Sequence, residues 1–206
     1  MNYPNGIKKE KENITSKTIN YKNRGMNLEN DINETNNYYI EKKEAFIYKK
    51  PTPIKLVKVD YKIGKINEAY FDMPSTTDYN GIYKGKYIDF EAKETINKKG
   101  FPLVNIHKHQ IKHIRNIYES KGICFIIVRF SYFNETYLLM AEDFLNYIDN
   151  FKKSIIPIEY FKEKGYQIKN KFIKKVDYLE IIDKMEDIKW EKKKRKRKFL
   201  QRRKPW

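Results

Sequence analysis

Two carboxylates and an amine fall within one short stretch, "STTDYNGIYKGKYIDFEAKET", with Asp78 ahead of one run and Glu91 and Lys93 inside the next. A turn at Lys84 to Lys86 lets the two runs pair as a β-hairpin, which brings the start of the first arm close to Glu91. On a strand, residues two apart share a face, so Asp89, Glu91 and Lys93 point one way while Phe90 and Ala92 fill the opposite, core-facing side. Two hard carboxylates so placed can hold Mg²⁺, which takes oxygen ligands in an octahedron and keeps several waters. Such a site aims an activated water at a phosphodiester, and the Lys93 ammonium can orient it or offset the charge that develops. Thr76 shares the face of Asp78, and Gln110 is polar where a helix stripe calls for an apolar residue, so either can add an oxygen to the ion or its waters. The same residues also allow a plainer outcome: a surface salt-bridge patch worth little energy, with Thr76 on an exposed face and Gln110 turned off the core.

Context, not pattern, selects Glu91 and Lys93. An acid two residues before a lysine also occurs at Glu41, Asp60, Glu119, Asp187 and Glu191, as a lysine-rich chain produces by chance. Around the hairpin, Leu28, Ile32, Thr35 and Tyr39 advance by threes and fours, which predicts an amphipathic helix from Met26 to Tyr39. "EAFIYKK" reads as a strand ended by "PTP", and "KLVKVDYK" with "INEAYFDM" reads as a long hairpin turning at Ile63 and Gly64. Leu103, Ile106, Gln110, Ile114 and Ile117 form one stripe of a second helix within "FPLVNIHKHQIKHIRNIYES". "GICFIIVRF" is apolar enough for a central strand covered on both faces. "ETYLLMAEDFLNYI" passes from strand into helix, and "VDYLEIIDKM" is a closing helix. The fold class expected is α/β, or α+β, on a mixed sheet.

At 206 residues the chain fits one domain plus extensions. A net charge of +17 favours a polyanionic partner, nucleic acid ahead of an anionic membrane. No apolar run approaches the roughly 18 residues of a membrane span, and "MNYPNGIKKEKEN" lacks the core of a signal peptide, so the expected location is cytoplasmic. The single cysteine, Cys124, sits in an apolar run and is read as core packing. Residues 1–23 read as a flexible N-terminal arm. From Glu191 to Trp206, ten Lys or Arg stand against one Glu, so +9 of the net charge lies in a self-repelling tail expected to be disordered and to bind phosphate non-specifically.

The spacing Asp, hairpin, Glu, one residue, Lys resembles the PD-(D/E)xK nuclease core, although Thr77 replaces the proline before Asp78. With "NRGMNLENDINETNNYY", "KKPTP", "FPL", "HQIKHI" and "GICFIIV", the stretch resembles the RecU family of Holliday junction resolvases of Gram-positive bacteria, from about Asn23 to near Met185. The resemblance implies a restriction-endonuclease-like mixed β-sheet flanked by helices. It also implies a homodimeric, Mg²⁺-dependent endonuclease that nicks four-way junctions symmetrically in recombination and repair, with recombinase and branch-migration proteins as further partners. Residue by residue, Thr76, Asp78, Glu91 and Gln110 match the metal positions and Lys93 the transition-state lysine. The nuclease domain then runs over 24–190, with a protruding hairpin stalk at about 56–73 and the basic tail over 191–206.

Glu29 lies where related nucleases often carry an acid near the metal, and is equally a first-turn acid favourable to the helix dipole. Of His107, His109 and His113 only the last two are four apart, and no second acidic motif accompanies them, so they read as DNA-facing or solvated. Two rival functions remain open: a sequence-specific restriction endonuclease on the same core, and a non-catalytic DNA-binding module that regulates a recombinase or branch-migration motor.

Overall fold

The computed structural model describes residues 24–72 and 76–185. The N-terminal arm over 1–23, the basic tail over 191–206 and Met73 at the foot of the expected stalk lie outside the described residues. The chain runs α1 (Arg24–Glu41), β1 (Phe46–Lys49), β2 (Ile54–Asp60), β3 (Lys65–Phe71), β4 (Tyr79–Tyr83), β5 (Lys86–Thr95) and β6 (Gly100–Pro102). It continues through α2 (Lys108–Glu119), β7 (Ile123–Phe130), β8 (Glu135–Met140), α3 (Ala141–Phe151), β9 (Ile155–Pro157), α4 (Ile158–Lys164) and β10 (Tyr166–Ile168). Helical residues 178–185, here α5, end the described chain.

Six strands form one sheet in the order β1-β4-β5-β7-β8-β10, in which only β5 and β7 run parallel. Alternation along β7 sends Phe125 and Ile127 into one core with α1 and α5, and Cys124, Ile126 and Val128 into the other with α2, α3 and α4. The sheet is therefore mixed and flanked by helices on both faces, as expected, and β7 is covered on both sides. Cys124 is buried, and that burial pushes its thiol pKa up, so it packs and does not react.

The hairpin β2–β3 pairs only with itself, and every residue of β3 is exposed. It forms a separate two-stranded hairpin whose strands span Ile54 to Phe71, where a hairpin over about 56–73 was expected. Residues Phe101 to Asn105 correct the second helix. Gly100 to Pro102 pair with β9 instead, and α2 begins only at Lys108, where the His107 N–H donates to Gln110 Oε1 at 2.9 Å in a capping box.

Beneath the site, rings from three strands stack: Tyr79 on Phe90 and Phe90 on Phe125, each at 4.8 Å between centroids. The ladder pairs Tyr79 with Phe90. A one-residue slip would drive these rings out of the core, so their packing fixes the register. One residue further out, that register sets Asp78 opposite Glu91. The turn is built for it: Lys84 and Gly85 both have positive φ, 48° and 75°, as a two-residue type I′ turn requires.

Candidate active site

Asp78, Glu91, Lys93 and Gln110 meet at one point. Glu91 Oε1 accepts from Gln110 Nε2 at 2.7 Å and from Lys93 Nζ. Asp78 Oδ2 accepts from the Ala92 N–H at 3.1 Å and from Lys93 Nζ at 3.4 Å. Asp78 and Lys93 keep 21% and 26% of their side chains exposed while Glu91 keeps 0%, so the site opens to solvent on the Asp78 and Lys93 side. That burial rules out the solvated surface patch.

The electrostatics follow from the geometry. Burial, and next the neighbouring Asp78 charge, raise the Glu91 carboxyl to about 8 against the pull of Lys93. Burial works against the Lys93 ammonium, but the charges of Glu91 and Asp78 outweigh it and raise its pKa. Lys93 is thus a cation at neutral pH.

The other oxygen of Glu91, Oε2, is buried and no donor among the described residues reaches it. A buried carboxylate oxygen left this way costs free energy unless something else binds it. A divalent cation is the chemistry that oxygen fits. Two carboxylates suit a hard divalent ion that takes oxygen ligands and keeps waters. Among the described residues no group of three or more His, Cys, Asp or Glu is placed to cage a metal.

Two expected ligands stand differently. Gln110 donates its Nε2 to Glu91 while its Oε1 caps α2, so as it stands it orients Glu91, and its amide must turn to offer an oxygen. Thr76 is exposed and its hydroxyl accepts from Lys50 Nζ at 3.0 Å. Glu29 pairs with Lys49 at 2.5 Å, and after burial its charge and that of Asp78 are what raise the Tyr79 phenol. Glu29 and Asp78 therefore flank one tyrosine.

A second cluster was not anticipated. Asp89, 0% exposed, accepts at Oδ2 from Lys50 Nζ at 2.7 Å and from Tyr87 OH at 2.8 Å, and at Oδ1 from the Thr77 hydroxyl. His113 Nε2 lies 3.2 Å from Asp89 Oδ2, which corrects its reading as DNA-facing or solvated, whereas His107 and His109 are exposed and stack on each other. The signal was present: Asp89 shares the face of Glu91, and His113 follows Gln110 by one helical turn.

The chain is similar to known proteins over most of its length. A family model described as "Recombination protein U" matches residues 23–184. The Holliday junction resolvase RecU of Streptococcus mutans is 52% identical over 89% of this chain and 96% of its own length. That of Oceanobacillus iheyensis is 50% identical over 90% and 99%, and that of Staphylococcus aureus 48% over 90% and 96%. The solved structure of Hjc, a Holliday junction resolvase of Archaeoglobus fulgidus, matches with a TM-score of 0.41 at 10% identity over 69% of this chain and 95% of that one, a likeness too loose to add weight. With half the residues shared across nearly the whole of both chains, and the hairpin stretch inside the matched region, this chain belongs to the RecU family.

Proposed function

We propose that this protein is a homodimeric, Mg²⁺-dependent endonuclease that cuts four-way DNA junctions symmetrically in recombination and repair. One observation carries the reading: a fully buried Glu91 leaves an oxygen unpartnered among the described residues, beside Asp78, with Lys93 against both. The names of the relatives supply the junction as substrate. The net charge of +17 supplies affinity for it through counterion release. Two copies follow from the product, since one site per copy nicks one strand each. Among the described residues no helix is long and apolar enough to cross a membrane.

Asp78 and Glu91 would hold the ion, with the Thr76 hydroxyl as a supporting oxygen and the Gln110 oxygen only if its amide turns. When bound, the ion supplies positive charge for the scissile phosphate and acidity for the attacking water. Gln110 keeps Glu91 turned toward the site through its Nε2. Lys93, an ammonium at neutral pH, offsets the negative charge that grows on the phosphate oxygens.

The test compares one four-way junction with linear duplexes of the same arm sequences, each with Mg²⁺ and with EDTA. Paired nicks confined to the junction and dependent on Mg²⁺ are expected. Equal cutting of the duplexes at a fixed sequence would assign a restriction endonuclease, and tight junction binding without any cutting a non-catalytic module.

A further inference from the structure

The ladder between β4 and β5 begins at Tyr79, so Asp78 lies one residue outside it. Its placement is set from the other side. The Lys50 N–H donates to the Asp78 carbonyl at 2.8 Å, extending the pairing of β1 with β4 by one residue. The Lys50 ammonium has three protons to donate, and three acceptors take them: Thr76 Oγ1 at 3.0 Å, Thr77 Oγ1 at 2.6 Å and Asp89 Oδ2 at 2.7 Å. Asp89 is fully buried on β5, two residues before Glu91, and the Lys50 side chain is only 14% exposed. A lysine so engaged is unavailable to substrate. What it does is tie the segment 76–78 to the strand that carries Glu91.

We infer that Lys50 is a positioning residue of the candidate metal site, acting through Thr77 and buried Asp89 to hold Asp78 opposite Glu91. The inference rests on the metal-site reading above. Charge accounts for the choice of lysine: Asp89 and Glu91 are both buried two residues apart on β5, and Lys50 neutralises Asp89, leaving Glu91 and Asp78 to the cation. Groups that orient a metal's ligands typically govern its affinity by about 10-fold to 100-fold.

Removing Lys50 alone strands the Asp89 charge in the interior and threatens the fold, so the test replaces both partners. Lys50→Met with Asp89→Asn is compared with the parent for Mn²⁺ affinity by electron paramagnetic resonance, Mn²⁺ being a hard ion of the same oxygen preference as Mg²⁺. A cooperative thermal melt certifies folding. The folded double variant is expected to bind Mn²⁺ about 10-fold or more weakly than the parent; parental affinity overturns the inference. Should the double variant not fold, the same readout on Thr77→Val and Thr77→Ser decides. The valine, which breaks the bonds to both Lys50 and Asp89, should weaken Mn²⁺ binding and the serine restore it, and equal affinities in the two refute the positioning role. A parent that takes up no Mn²⁺ would remove the metal-site reading itself and this inference with it.

Discussion

Replacing Glu91 by glutamine should stabilise the metal-free protein. The side chain is fully buried and its carboxyl is raised from 4.5 to about 8, by burial first and by Asp78 second. At neutral pH the folded protein thus retains a proton that the unfolded chain has released. The penalty on folding is absent below about pH 4.5, grows by about 1.4 kcal/mol per pH unit, and levels off near 8. At pH 7 it amounts to roughly 3 kcal/mol. In a chain of 206 residues this corresponds to roughly 6–12 °C in Tm. Glu91→Gln retains an oxygen to accept from Gln110 and Lys93 but carries no titrating proton. In EDTA it should melt above the parent at pH 7, with the gap closing as the pH falls toward 4.5. Saturating Mg²⁺ should raise the parent, because the ion binds the charged carboxylate and so shifts folding by mass action, and should leave the variant nearly unmoved. Thermal melts of both proteins from pH 5 to 8, with and without Mg²⁺, measure all of this. A gap that stays constant with pH, or a variant that responds to Mg²⁺ as the parent does, would refute the assignment of Glu91 as a buried metal ligand.

Lys93→Ala should keep the parent's Mn²⁺ affinity and cut junctions roughly 10²–10³-fold more slowly under single turnover, as when a transition-state donor is lost; unchanged turnover would assign Lys93 a structural role only. Replacing Val59 to Asn67 by a two-residue turn should leave Tm unchanged, because β2 and β3 pair only with each other, yet weaken junction binding relative to duplex, measured by gel shift. Gly81→Ala should lower Tm and Mn²⁺ affinity together, because a Cβ there would meet the Phe46 carbonyl oxygen at 2.0 Å and push β1, with Lys50 behind it, off the sheet.

The candidate site was legible because local rules placed it. Lys84 and Gly85 specify the turn, alternation puts Asp89, Glu91 and Lys93 on one face, and Phe90 declares the other. The first helix was legible through the spacing of Leu28, Ile32, Thr35 and Tyr39, all buried, and the β2–β3 hairpin through the break at "PTP" and the turn at Gly64. Long-range pairing hid the rest. Phe101 and Pro102 look like the first turn of a helix until β9, more than fifty residues later, pairs with them. The stretch from Lys152 to Asn170 carries two strands of only three residues and a seven-residue helix among seven charged side chains, too short for any periodicity to show. Lys50 is one of 44 Lys and Arg, and nothing local tells it from its neighbour Lys49. Only the sheet, by setting β1 beside β4, brings its ammonium to Asp89 while Lys49 points outward to Glu29.

The central claim is that Asp78 and Glu91 hold the ion that drives cutting, on a surface that binds junction DNA without needing it. Asp78→Asn tests it most directly, with junction affinity in EDTA and single-turnover cleavage in Mg²⁺ measured on one preparation. Removing a carboxylate from a DNA-facing surface relieves repulsion with phosphate, so the variant should bind a four-way junction at least as tightly as the parent and yet show no Mg²⁺-dependent nicks. An Asp78→Asn protein that cuts junctions at the parent's rate would contradict the account.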